Sequence, residues 1–267
     1  MLKEFFGIGG YTRRAEGFLS WQHLLFVSLL MMVMFLLAVV FGTRNRGKNL
    51  QVCNRVLVVA AVLMNAVENA KILLRCASES NWMAWLSELP LYMCSIQLIT
   101  LPLAAFSKGR IKEAALDFVC LFGLLGAVLG TYCAGNNYSC YPVLSFDNVF
   151  SGITHSVAGF ASLYIMIAGL AKMHRHNMGI ACAIIIGFGV AAYAANLLLG
   201  SNYMFLMRGD GTPYDILYRL CSGHRVLYPL GVAGLFLIYI FLGFQSVRLV
   251  HSTRVRKEKL KEKKLAC

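Results

Sequence analysis

Charge is scarce in this chain. Only 14% of its 267 residues are Asp, Glu, Lys or Arg, and just 12 are acidic. A soluble domain carries about 25% charged residues to face water, so a soluble globular protein is excluded. Period-two alternation of apolar and polar residues is missing over any span-length segment, which excludes a membrane β-barrel. There is no C-x-x-C pair and no Cys/His metal spacing, so no zinc site is expected, and no cofactor-binding motif is present. No repeat of about 20–50 residues and no inverted halves are evident, against a solenoid or an inverted-repeat transporter. No nucleic-acid motif accompanies the formal net charge of +13, so no nucleic-acid partner is expected.

Hydrocarbon is abundant instead. Hydrophobic residues make up 58% of the chain, with a mean hydropathy of +0.65. They fall in runs of about 20 residues, the length at which a helix rising ~1.5 Å per residue crosses ~30 Å of lipid. The reading is an all-α, polytopic membrane bundle of about seven transmembrane helices, multi-pass in the cell membrane with lipid as its partner. Residues 1–20 form an interfacial segment, 21–250 the bundle and 251–267 a basic tail. The expected spans are about Trp21–Phe41, Val52–Leu74, Leu86–Phe106, Ala114–Tyr132, Asn148–Ala171, Gly179–Leu199 and Val226–Val247. The first is too long for a signal-peptide core and has no convincing cleavage site.

Basic residues fix the orientation. Arg44, Arg46, Lys48, Lys108, Arg110, Lys112, Lys172, Arg175 and the tail from Arg248 on lie in one set of loops. The other set holds only Arg75, Arg208, Arg219 and Arg225. An outside N-terminus and a cytosolic C-terminus follow from the positive-inside rule.

The polar residues inside the spans carry the functional signal, because a polar group in hydrocarbon needs a partner or a purpose. Glu68, Cys94 and His155 all fall roughly 10 Å below the outer surface when depth is counted along their helices. A thiol, an imidazole and a carboxylate at one level make a catalytic set: Cys94 as nucleophile, His155 as base and Glu68 to orient the imidazole. Gln97, Asn196, Asn202 and Tyr203 lie near the same layer as substrate-binding groups, the amides as donors to an oxyanion. Glu68 also stands three residues before Lys71, the spacing of a local ion pair. Among the nine cysteines, Cys133 and Cys140 flank one short loop and are placed to pair if that loop faces an oxidising compartment.

At Leu89-Pro-Leu-Tyr-Met-Cys-Ser95, at His155 and at Asn196 followed by Ser201-Asn-Tyr-Met-Phe-Leu206, the chain resembles the YwaF-type bacterial integral membrane proteins. That resemblance implies a six- or seven-helix fold. The family's usual Leu-Pro-Leu-His-x-Cys has Tyr92 at the His position here, which leaves His155 as the base. The family is similar, more remotely, to eukaryotic intramembrane acyltransferases and ester hydrolases with a Cys or Thr nucleophile and a His. Three functions of different class stand: a thiol-dependent lipid acyltransferase or hydrolase, a transporter or sensor that binds a small solute or ion in the outer half of the membrane, and a structural or assembly subunit.

Overall fold

The computed structural model describes residues 2–265; Met1, Ala266 and Cys267, and the side chains of the expected basic tail from residue 251, lie outside the described residues. All its elements are helical, with no strand among the described residues. In order they are α1 (Leu2–Phe5), α2 (Trp21–Asn45), α3 (Leu50–Ser78), α4 (Gln97–Phe106), α5 (Gly109–Tyr132), α6 (Gly135–Cys140), α7 (Phe146–Ala168), α8 (Arg175–Leu199), α9 (Tyr214–Leu220) and α10 (Leu227–Leu265). Short 3₁₀ turns occupy Trp82–Ser87 and Tyr203–Phe205. Six helices among the described residues are long and apolar enough to cross a membrane, and α4 is a shorter apolar helix beside them. This is a multi-pass membrane protein.

Local sequence explains the helix ends. Ser20, Asn49 and Ser145 open α2, α3 and α7 by accepting a hydrogen bond from a backbone N–H of the first turn. Gly169 and Gly200 close α7 and α8 in the left-handed conformation, where a Cβ would be strained.

One expected span is not a continuous helix. The apolar run from Leu86 to Phe106 is broken into the turn Trp82–Ser87, an irregular stretch over 88–96 and the ten-residue α4. Pro90 lacks the N–H a helix needs and biases Leu89 towards extended backbone, so the first half cannot continue the helix. Pro102 inside α4 likewise leaves the Leu98 carbonyl without its usual donor, and the Asn65 side chain of α3 supplies one at 3.2 Å. The far end of α4 is capped by Lys112, whose ammonium donates to the Ala104 and Ala105 carbonyls and, at 2.6 Å, to Asn54 Oδ1. Lys112 is therefore a buried residue of α5 and not a loop charge. Asn54 completes the cap by donating to the Ala105 carbonyl at 2.7 Å.

Helix α5 is the centre of the bundle: 67% of its most apolar window is buried, against 17% for α2 and α8. Small residues bring α7 against it. A Cβ at Gly123 would lie 2.4 Å from the Ala158 carbonyl, and one at Gly159 would lie 2.7 Å from the Ala127 side chain. Such contact replaces lipid with backbone-close packing, the main source of helix association in a membrane.

The N-terminal segment folds back over one end. Tyr11 donates to Asp147 at 2.9 Å, the Val143 N–H donates to Glu16 at 2.8 Å, and buried His23 bonds the Thr131 carbonyl at 3.1 Å. Burial, with the Asp147 charge behind it, raises the Tyr11 phenol well above its ordinary value, so it remains a donor to that carboxylate.

Candidate functional site

A cavity of about 590 Å³ opens between α3, α5, α7, the broken segment and the loop after α8. That size is typical of a small-ligand site. Its wall is mostly apolar, with Met64, Met93, Leu98, Leu125, Leu129 and Phe236, and its polar end carries Glu68, Lys71, Arg75, Glu88, Tyr141 and Asp147. Cys94 and His155 both line it.

Cys94 enters from the irregular stretch because the chain turns there. Ser95 N–H bonds the Tyr92 carbonyl at 3.0 Å and Gln97 N–H bonds the Cys94 carbonyl at 3.1 Å, so the backbone winds up into α4 directly after the thiol. Cys94 thus stands in the lead-in turn of a helix. Among the described residues neither Met93 nor Cys94 has a partner for its N–H, as first-turn donors lack one inside a helix. The N-terminus of α4, the end of a helix that favours negative charge, follows Cys94 by three residues.

His155 projects from the middle of α7. Its Nδ1 bonds the Ser151 carbonyl at 2.7 Å. A carbonyl only accepts, so the proton is assigned to Nδ1 and Nε2 is left with its lone pair. The Cys94 side chain lines the same cavity, against Gly126 of α5, one turn before Gly130: a Cβ at Gly126 would lie 3.7 Å from the Cys94 Cβ. No conventional hydrogen-bond partner meets Nε2 among the described residues. Gly130 of α5 provides the space: a Cβ there would fall 2.0 Å from Nε2.

The other expected site residues are distributed differently. Glu68 lines the cavity and acts electrostatically on both Cys94 and His155, but its carboxylate pairs with Lys71 at 3.3 Å, and the imidazole is held by Ser151 instead. Gln97 is fully buried next to Thr100, with its Nε2 unpartnered, and does not line the cavity. Asn196 clamps the turn after α8: its Oδ1 accepts from Tyr203 N–H at 2.6 Å and from Ser201 Oγ at 2.9 Å, and its Nδ2 donates to the Tyr203 carbonyl at 3.0 Å. Asn202 reaches the cavity wall, yet its amide is engaged by the 207–210 loop, including Asp210 at 2.8 Å. Tyr203 donates to the Leu86 carbonyl and packs edge-on against Tyr92 at 5.1 Å, supporting the broken segment from behind. Cys133 and Cys140 are both free thiols, Cys133 on the cavity wall and Cys140 exposed.

Lys71, in the sequence the local ion-pair partner of Glu68, and Arg75, there a loop charge, complete the polar end with Glu88 and Asp147. Glu88 accepts from Lys71 at 2.7 Å and from Arg75 at 2.9 Å. Arg75 also pairs with Asp147 and lies over the Tyr141 ring, 5.6 Å from its centroid. Lys71 and Arg75 are four residues apart on α3, which is the signal that both face one side.

The TMEM164 family matches residues 18–247, from the strap before α2 to the end of the last span. The chain belongs to the TMEM164 family. The matched region of this TMEM164-family chain holds all six candidate spans and every cavity residue described above. No curated protein and no solved structure matches the chain.

Proposed function

We propose that this TMEM164-family protein is an intramembrane thiol-dependent lipid acyltransferase or hydrolase, working in the outer leaflet of the cell membrane with its N-terminus outside. The observation that carries the reading is that Cys94 and the unpartnered Nε2 of His155 meet Gly126 and Gly130, one turn apart on α5, on the wall of one largely apolar cavity.

Nε2 takes the thiol proton while the sulfur attacks the acyl carbonyl carbon of a phospholipid ester. The carbonyl oxygen becomes an oxyanion, for which the N–H groups of Met93 and Cys94 are the proposed donors. Collapse of the tetrahedral intermediate breaks the bond to the glycerol oxygen, which leaves with the proton from the imidazolium. A lysolipid and a Cys94 thioester result. His155 then deprotonates a second lysolipid hydroxyl, or water, which attacks the thioester, and the proton returns to sulfur as it leaves. Glu68, paired with Lys71 at 3.3 Å, is the carboxylate of the set on the same cavity wall.

The resemblance to YwaF-type proteins at residues 89–95, and through them to intramembrane Cys/His acyltransferases, supports the same chemistry. Transport is supported less. Paired broken helices are its usual mark, whereas α4 has no broken counterpart among the described residues.

Vesicles of phosphatidylcholine carrying a labelled acyl chain, with added lysophosphatidylcholine, provide the assay. The wild-type protein should move the label to the lysolipid or release it as fatty acid, and Cys94→Ser and His155→Ala should each lose at least 100-fold of that rate. Turnover by Cys94→Ser at the wild-type rate would overturn the assignment.

A further inference from the structure

Cys94 and His155 sit on different elements, and nothing in either element alone fixes their separation. The stretch that carries Cys94 has little backbone hydrogen bonding: of the N–H groups from Leu89 to Cys94, only that of Leu91 has a backbone partner among the described residues, the Leu89 carbonyl. Its polar anchor is the Glu88 carboxylate, six residues before the thiol, held by Arg75 Nη1 at 2.9 Å and by Lys71 at 2.7 Å. The helix that carries His155 has its own anchor, Asp147 in its first turn, 97% buried. Arg75 Nη2 holds that carboxylate.

We infer that Arg75 is a positioning residue that sets the distance between nucleophile and base, one guanidinium nitrogen holding the Cys94 segment through Glu88 and the other holding the His155 helix through Asp147. The inference rests on the Cys94–His155 pair of the proposed function, although not on the acyl substrate. Arg75 is itself fixed by α3, by the Tyr141 hydroxyl at 3.4 Å and by the Tyr141 ring. A guanidinium is a rigid planar fork, and an ammonium on a flexible stem is a point charge. Lysine at this position keeps the charge and can reach one carboxylate well, not both in a fixed geometry. Lys71 does not substitute, since its partners are Glu68 and Glu88 and neither is on α7.

The test reads the pair without a substrate. The full chain in detergent is treated with iodoacetamide at neutral pH, and the alkylation rate of Cys94 is followed by mass spectrometry of its own peptide, since other cysteines also react. Four proteins are compared: wild type, Arg75→Lys, His155→Ala and the double variant, with Glu113→Gln as control, since among the described residues Glu113 pairs only with Lys172, at 3.8 Å on the surface. Arg75→Lys and His155→Ala should each slow Cys94 alkylation about tenfold, and the double variant should be no slower than His155→Ala, because a positioning residue acts only through the base it positions. Glu113→Gln should alkylate as wild type. Equal fold-losses from Arg75→Lys with and without His155, or a wild-type rate in Arg75→Lys, would overturn the inference. If Arg75→Lys merely loosened the fold, Cys94 would alkylate faster, which also overturns it. Should the coupling hold while phospholipid turnover is absent, the positioning stands and the acyl-transfer reading falls.

Discussion

Gly130 on α5 and His155 on α7 are fitted to each other: a single methyl group at Gly130 would lie 2.0 Å from the imidazole Nε2. The glycine is the reason the imidazole can face Cys94 at all. Gly130→Ala should therefore push the ring off its Ser151 bond and lower turnover to the level of His155→Ala. Overpacking of this kind costs about 1–3 kcal/mol, so the variant should remain folded. Turnover in vesicles alongside a thermal melt checks both halves; full activity would show that the ring has room to spare.

Lys112 anchors α4 from the end opposite Cys94, satisfying the Ala104 and Ala105 carbonyls and Asn54 Oδ1. Lys112→Met keeps the stem but strands the Ala104 carbonyl and Asn54 Oδ1, each worth about 1–3 kcal/mol when left buried and unpaired, while Asn54 still donates to the Ala105 carbonyl. A lower melting temperature and faster amide exchange confined to α4 are expected. Unchanged exchange there would mean that the Asn54 cap suffices.

Asn196 is expected to act through shape. Its three hydrogen bonds hold a turn in which Met204 and Phe205 both have positive φ, of 54° and 56°, and both residues line the cavity. Asn196→Ala should release that strained turn, destabilise the protein by about 1–3 kcal/mol and raise KM by a larger factor than it lowers kcat. Kinetics in which kcat falls and KM holds would instead place the amide at the reacting carbonyl.

The N-terminal segment carries a pH-dependent tie. Thr12 Oγ1 and the Arg13 N–H donate to the Glu4 carboxylate, each at 2.7 Å, and these bonds, Thr12 first, hold its carboxyl below its ordinary value of 4.5. A lowered carboxyl contributes fully above the ordinary value and is lost as pH falls through the lowered one. Amide protection at Thr12 and Arg13 should be constant at neutral pH and drop below about pH 4, and Glu4→Gln should abolish that drop. Protection that ignores both changes would show the segment to be held from elsewhere.

Much of this architecture is legible in the sequence. The runs at Trp21–Asn45 and Arg175–Leu199 are apolar around most of their circumference because lipid surrounds them, so run length alone locates them. The break before α4 is not visible to hydropathy, since an irregular stretch inside a protein wall can be as apolar as a helix. Pro90 and Pro102 mark it only once the donors that replace the lost bonds, such as Asn65, are seen. Depth along a helix brings Glu68, Cys94 and His155 to one level, but rotation about the axis decides contact. Ser151 lies one turn before His155 on its own helix and so reaches Nδ1, which Glu68 on α3 does not. Arg75 looks like a loop charge because α3 runs beyond the expected end of its span, to Ser78. The spacing of Gly126 and Gly130 on α5 is a readable sign of close approach; what approaches them, Cys94 and His155, is a property of the fold.

The central claim is that Cys94 carries an acyl group. Purified protein incubated with a phosphatidylcholine mixture and weighed intact, beside Cys94→Ser, tests it most directly. A mass increase equal to one fatty-acyl group, removed by hydroxylamine and missing from Cys94→Ser, is the expected result. An acyl adduct of equal size on Cys94→Ser, or no adduct on a wild-type Cys94 that iodoacetamide still reaches, would contradict it.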